Sequence, residues 1–178
     1  HEKASSLLSL AQWIGQQTGA HVGYLTEAAN TVGAQLVGAV PGSNGLHAGQ
    51  MLSGGLKALL LLHTEPEHDT AARASELNTA GMVVTLSAFK TNLDVSDVLL
   101  PVAPFTETSG SFVNAEGRLQ SFHAVVKPLG ETRPAWKVLR VLGNLLGLGG
   151  FDADSSQVVL GKALPGVASG AMVDAARL

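Results

Sequence analysis

Apolar residues recur at helical spacing near the start of the chain, at Leu7, Leu10, Ala11 and Ile14. That pattern predicts a helix over 4–18, with Ser5 or Ser6 near its start and Gly19 as the left-handed residue that closes it. Val22–Leu25 is a short apolar run of strand type, and a stretch rich in alanine and glycine follows it. Pro41–Gly55 is loop-like, with a turn at Asn44-Gly45. The densest apolar run, Leu56–Leu62, predicts a strand of a parallel sheet covered on both faces. Asp69–Ala80 reads as a helix, with Asp69 or Thr70 as cap and Gly81 as stop, and Met82-Val83-Val84-Thr85 at once begins another buried strand. Strand, helix and strand within roughly 30 residues make a βαβ unit, which crosses over right-handedly.

The second half changes period. Val98-Leu99-Leu100 is a further apolar strand, stopped by Pro101, which has no N–H to give to a central ladder. Ser111–Asn114 and Arg118–Phe122 flank Ala115-Glu116-Gly117, and the glycine falls where a hairpin loop needs a positive φ. Pro134 opens a helix over Ala135–Leu146 whose stripe is Trp136, Val138, Leu139, Leu142 and Leu146. The residues after Gly147 are rich in glycine and alanine and show little period. The expectation is therefore an α/β fold, a small mainly parallel sheet flanked by helices with an added β-hairpin. Its domain spans 1–147, and 148–178 forms a tail or linker.

Composition adds one strong constraint. Charged residues are 14% of the chain and hydrophobic residues 46%, whereas an average soluble domain carries about 25% charge. So charge-poor a surface predicts burial against other protein, as in a piece of a larger assembly. The net charge of −3 shows no basic excess for a nucleic-acid partner. Cysteine is absent, which excludes disulfides, thiolate zinc sites and iron–sulfur ligation by these residues. The opening residues carry no charged, apolar and small export pattern. The runs at Leu56–Leu62 and Val138–Leu148 are too short or too interrupted to cross a bilayer.

Ligands of parallel sheets gather beyond the carboxyl ends of the strands. The most chemical-looking segment is accordingly His63-Thr64-Glu65-Pro66-Glu67-His68-Asp69, two histidines and three carboxylates after the Leu56–Leu62 strand. Its spacing lacks the helical His-Glu-x-x-His arrangement of a zinc site, and a polar loop leading to a helix cap accounts for it better. Gly147-Leu148-Gly149-Gly150 follows a helix rather than a strand and has Asp152 where a dinucleotide fingerprint needs its third glycine. Gly161-Lys162 lacks the upstream glycine of a phosphate loop, since position 156 is serine. Glu107, Glu116 and Glu131 are candidate acid–base carboxylates, although Glu116 in a turn is better read as solvated or paired with Arg118. His21 and His123 read as packed or surface histidines. No Gly-x-Ser-x-Gly elbow occurs.

From Val83 to Leu139 the spacing of these residues resembles the molybdopterin oxidoreductase family. The resemblance rests on Ser96-Asp97-Val98-Leu99-Leu100-Pro101, on Glu107-Thr108-Ser109-Gly110-Ser111-Phe112-Val113-Asn114-Ala115-Glu116-Gly117-Arg118-Leu119-Gln120, and on Pro128-Leu129-Gly130-Glu131 with Trp136. Upstream, Asn30, Gly33, Gly38 and Pro41 match a spaced Asn-x-x-Gly and Gly-x-x-Pro, and Glu65-Pro66 falls where the family often has Gly-Glu-Asn-Pro. Within the family the sequence looks most like the large iron–sulfur subunit of bacterial NADH–quinone oxidoreductase, respiratory complex I. The Asn-Ala-Glu-Gly-Arg turn carries that likeness. It implies a structural domain that is not catalytic alone and holds no cofactor, while the parent complex uses FMN and iron–sulfur clusters. It also implies as partners the remainder of the same large polypeptide and the other proteins of the peripheral arm. The expected place is the cytoplasmic side of the inner membrane, without direct membrane insertion. The alternative is a cofactor-binding segment of a molybdopterin-dependent dehydrogenase such as formate dehydrogenase, in which Asn30, His63, Thr64 and Glu65 line a pterin site. A third option, a freestanding nucleotide-binding module, has less behind it.

Overall fold

In a computed structural model of the chain, residues 3–26, 28–70 and 80–173 are described. Helix α1 (Ala4–Thr18) ends at Gly19, whose φ of 69° is the expected left-handed cap. Gly15 is buried because the Val22 side chain lies where its Cβ would be. Val22–Leu25 is irregular chain rather than the expected strand; Val22 packs back on α1 instead of entering a sheet. Two short helices follow, α2 (Thr31–Leu36) and α3 (Ala48–Leu52). His47 starts α3 with a reciprocal cap: its Nδ1 accepts from Gln50 N–H at 3.3 Å, and Gln50 Oε1 accepts from His47 N–H at 3.0 Å.

Strand β1 (Leu59–Leu62), helix α4 (Pro66–Asp69), β2 (Val83–Ser87) and β3 (Val98–Pro101) come next. The three strands form a sheet of order β1-β2-β3 with both pairs parallel. The register sets Leu59 opposite Val83 and Val84 opposite Val98. Pro101 ends β3 opposite Ser87, as its missing N–H requires. The helix expected over Asp69–Ala80 falls largely on 71–79, outside the described residues, and Asp69 is the last residue of α4. Leu59 and Leu61 are buried while Leu60 and Leu62 are exposed. The described residues thus cover one face of β1, not both, whereas on β2 both faces are covered: Val83 and Thr85 are buried on one and Leu86, in register with Leu62, on the other. Leu59, Leu61 and Val83 form that core, backed by Leu52, Leu56, Ala80 and Val95.

The hairpin follows as expected, β4 (Gly110–Val113) antiparallel to β5 (Leu119–Phe122), with Gly117 at φ 86° in its loop. Helices α5 (Ala135–Leu145) and α6 (Ser156–Ala163) complete the chain. The pattern after Gly147 predicts a tail or linker; in the structure residues 156–163 form a helix and the chain beyond it packs on the hairpin. Ser155 caps α6, its Oγ accepting from Val158 N–H at 3.2 Å. Beyond α6 the chain runs along β5: Gly170 N–H donates to Leu119 O at 2.7 Å, Leu119 N–H to Ala171 O at 3.0 Å, and Val173 N–H to Gly117 O at 2.7 Å. Leu164 and Val173 are buried with Val113 and Leu119 in a second core, so these residues complete the hairpin layer. Among the described residues no helix is long and apolar enough to cross a membrane.

Candidate functional site

The carboxyl ends of β1 and β2 release two loops that lock together. His63 (φ 48°) and Asn92 (φ 56°) are the non-glycine residues with positive φ among those described, a conformation that asparagine accepts more readily than histidine. Asn92 Nδ2 donates to Thr64 O at 2.9 Å, joining the loop after β2 to the loop after β1. His63 N–H donates to Leu86 O at 2.9 Å, so it prolongs the ladder while its side chain stays exposed. Thr64 turns its hydroxyl back onto Leu62 O at 3.0 Å. Glu65 N–H donates to Asp69 Oδ2 at 2.7 Å, and the Glu65 carboxylate stands 3.9 Å from His68 Nε2. The crevice between the loops is small, about 130 Å³, and is walled by Glu65, Glu67, His68, Asn92 and Asp94 among others. Among the described residues no group of three or more His, Cys, Asp or Glu side chains is placed to hold a metal ion.

Asn30 is elsewhere. Its Oδ1 accepts from Val113 N–H at 2.9 Å and its Nδ2 donates to Ser111 O at 3.4 Å. The carboxamide therefore pairs with the outer edge of β4 as a peptide unit would, and it satisfies a buried N–H. Gly33 makes this possible, since a Cβ there would run into Asn30 Oδ1. The spacing Asn-x-x-Gly is thus a clasp between α2 and the hairpin. Of the four residues expected to share a pterin site, 63–65 are neighbours at the parallel sheet, while Asn30 lines a separate chamber of about 420 Å³ beside the hairpin.

The other motif side chains also hold backbone. Asp97 Oδ2 accepts from Val83 N–H at 2.7 Å and Thr85 Oγ1 shares a hydrogen with Ser96 Oγ at 2.7 Å, which registers β3 on β2 at the amino ends of both strands. Glu107 Oε2 accepts from Leu129 N–H at 3.0 Å. Asn114 Oδ1 accepts from Glu116 N–H at 3.1 Å and Arg118 N–H at 2.9 Å, closing the hairpin turn. Arg118 reaches Gly170 O at 3.3 Å instead of pairing with Glu116. Glu131 lies 3.5 Å from Arg133 on the surface, and His123 lines the chamber with Asn30. Sequence reasoning missed the clasp role of Asp97, Asn30 and Asn114. The one signal that could have found it is a short polar side chain next to a strand end or turn.

An open parallel sheet with a hairpin layer, stitched by these side chains, defines the class: a scaffold of α/β type that presents loops beyond its strand ends. Residues 1–145 match the sequence model of the molybdopterin oxidoreductase family, and the chain belongs to that family. A Staphylococcus aureus protein (strain bovine RF122 / ET3-1) whose name assigns it provisionally to formate dehydrogenase is 44% identical over 52 residues, which is 29% of this chain and 5% of the relative. Its counterpart in strain USA300 is 40% identical over 52 residues, 29% of this chain and 5% of the relative. A Bacillus subtilis (strain 168) protein named provisionally as an oxidoreductase, YjgC, is 41% identical over 56 residues, 32% of this chain and 6% of the relative. The matched stretch therefore covers only about a twentieth of the length of these relatives.

The family implies a molybdenum–pterin group, and the residues expected to contact one do not assemble a cradle for it. The Asn30 amide is engaged at both ends, the Thr64 hydroxyl and carbonyl are both bonded within the protein, and Glu65 faces His68. That leaves two of the four side chains without a hydrogen bond to the described chain: His63, turned to solvent, and Glu65, whose carboxylate stands 3.9 Å from His68 Nε2. These residues do not by themselves fit the group.

Proposed function

We propose that this chain is part of a molybdopterin-dependent oxidoreductase of formate dehydrogenase type, in which it supplies scaffold rather than the groups that perform the chemistry. The whole protein would withdraw two electrons from a small carboxylate such as formate, releasing carbon dioxide and a proton, with the molybdenum–pterin group as the electron-accepting centre. The chain's own side chains would hold the strands and hairpin in register and fix the loops after β1 and β2 at one end of the sheet. The observation that carries this reading is the inward use of the motif residues: Asn30, Asp97, Glu107 and Asn114 each bond a backbone N–H of their own chain. The names of the relatives supply the reaction class.

A second reading, the large iron–sulfur subunit of NADH–quinone oxidoreductase, draws on the Asn114-Ala115-Glu116-Gly117-Arg118 turn, where Gly117 takes a left-handed conformation. The dehydrogenase and oxidoreductase names of the relatives favour the first reading over it. The test is to express the protein together with its natural flanking sequence, weigh its molybdenum and iron, and assay formate-dependent reduction of a viologen dye. Molybdenum near one per chain with formate-dependent dye reduction supports the first reading. Iron without molybdenum, and no response to formate, defeats it in favour of the second.

A further inference from the structure

Trp136, Ser109 and Ser156 each line two hollows, so the two are contiguous. The first is the chamber of about 420 Å³ bounded by α2, the hairpin and α6, with walls such as Ala34, Val37, Phe122, Val159 and Leu160. The second is a groove of about 440 Å³ with Lys127, Arg133 and Lys137 on its walls. The two have opposite chemistry. In the chamber the polar groups are largely engaged: the Ser111 and Ser121 hydroxyls bond each other at 2.8 Å and the Asn30 amide is held by β4. Its remaining surface is mostly hydrocarbon.

The groove gathers three cations in a chain whose net charge is −3. Lys127 and Lys137 have no carboxylate within ion-pairing distance among the described residues. Lys137 Nζ lies 5.4 Å from the centre of the Trp136 ring. Arg133 meets Glu131 at 3.5 Å, but that carboxylate is almost wholly in water, where such a pair is weak. Glu107 also lines the groove, and its Oε2 takes the Leu129 N–H. The first turn of α5, on the same groove, carries no acidic residue.

We propose that the joined hollows bind an anion with an apolar body, of the class of medium-chain carboxylates. The carboxylate sits among Lys127, Arg133 and Lys137, and the hydrocarbon enters the chamber past Trp136. The chamber is of ligand size, since small-molecule pockets begin at about 300 Å³. A nucleotide fits less well, because a base needs edge partners and most of the chamber's polar side chains, Asn30, Ser111, Ser121 and Ser156, are already paired. The Ser109 hydroxyl, the His123 ring and the Gln157 amide nitrogen are the polar groups left on its wall. The charged mouth gives orientation and the hydrocarbon gives affinity, each buried methylene strengthening binding by roughly fourfold.

The experiment is isothermal titration of the full 178-residue chain with octanoate, decanoate, decanol and decyltrimethylammonium, and with GMP as the nucleotide probe. Decanoate is expected to bind at least ten times more tightly than decanol, octanoate about sixteenfold more weakly than decanoate, and the cationic amphiphile not at all. The double variant Lys127→Gln/Lys137→Gln, on exposed side chains, should lose at least tenfold for decanoate and leave decanol unchanged. Ala34→Phe should remove decanoate and decanol together, and Ala163→Leu, a smaller filling of the same wall, should weaken both in the same ratio. Circular dichroism checks that each variant is folded. Equal binding of decanol and decanoate, tighter binding of GMP, an unaltered double variant, or no heat with decanoate each overturns the proposal.

Discussion

Replacing Asn30 by alanine removes the acceptor that Val113 N–H uses at 2.9 Å and the donor to Ser111 O at 3.4 Å. Val113 is 2% exposed, so its N–H is left buried and unpaired, which costs about 1–3 kcal/mol. The second bond is long and adds little. The expected loss for Asn30→Ala is thus about 2 kcal/mol, a fall in Tm of roughly 4–8 °C for a chain of this length. Gly33→Ala attacks the same bond from the other side. Its new Cβ would occupy the place of Asn30 Oδ1, and since a side chain can swing away, the loss is the hydrogen bond rather than an enduring clash. Against that stands a gain of up to about 1 kcal/mol, because alanine is the better residue inside α2.

The decisive quantity is the double mutant. Once Asn30 is alanine nothing obstructs the Cβ at position 33, so Gly33→Ala should change sign there and become neutral or stabilising. The coupling between the two sites is expected at about 1–3 kcal/mol. Urea unfolding of the wild type, the two single variants and the double, with matched slopes, measures it. Additive losses, or an Asn30→Ala loss below about 0.5 kcal/mol, would refute the clasp. A cofactor-contacting Asn30 would show the opposite behaviour, with stability kept and no dependence on residue 33.

Asp97→Ala should destabilise by about 1–3 kcal/mol through the orphaned Val83 N–H, and Asp97→Asn, which keeps an oxygen in reach, by less; both are read by urea midpoints. Gly117→Ala, at φ 86° and with Val173 O only 3.0 Å from the added carbon, should cost about 1–2 kcal/mol and leave the α-helical circular dichroism signal unchanged. The Asp152 carboxyl is held below its ordinary value, first by the hydrogen bond from Lys162, then by its own backbone N–H and the Lys162 charge. A depressed folded value means that the tie to Lys162 is fully present above the unfolded value of 3.8 and is lost as pH falls through the lower folded one. Asp152→Asn should accordingly lower stability slightly at pH 7 in dilute buffer. The difference should vanish in strong acid and in about 1 M salt, where screening acts within ~3 Å.

The local elements were legible because short-range rules produced them. Val83–Ser87 and Val98–Pro101 are apolar runs with a proline stop, and the hairpin is marked by Gly117 between two strand patterns. What was not legible depends on partners distant in sequence. α6 is eight residues long and contains Gly161, so its period is weak, and it is held by Leu160 and Leu164 packing on the hairpin. The pairing of residues 170–173 with β5 joins segments some fifty positions apart and leaves no trace in alternation. Leu59–Leu62 reads as buried on both faces because leucine carries no information about which side is covered. Asn30 is ambiguous for a different reason: an asparagine three residues before a glycine looks the same whether the amide faces a ligand or a strand edge.

That ambiguity extends to the family signature itself. Asn30 reaches Val113 across 83 positions, Asn92 reaches Thr64 across 28, Glu107 reaches Leu129 across 22 and Asp97 reaches Val83 across 14. Each is a polar side chain bonded to a backbone group from another part of the chain; those of Asn30 and Asp97 reinforce joints that the two small apolar cores also make, and those of Asn92 and Glu107 tie loops outside the cores. A catalytic and a non-catalytic member built on this sheet need the same ties, so the signature follows the scaffold whichever chemistry the whole protein performs. On this chain the ties leave side chains free at His63 beyond β1 and at the cationic groove beside Trp136. Substitutions there should alter binding while leaving the urea midpoint in place, and substitutions at the clasps should do the reverse.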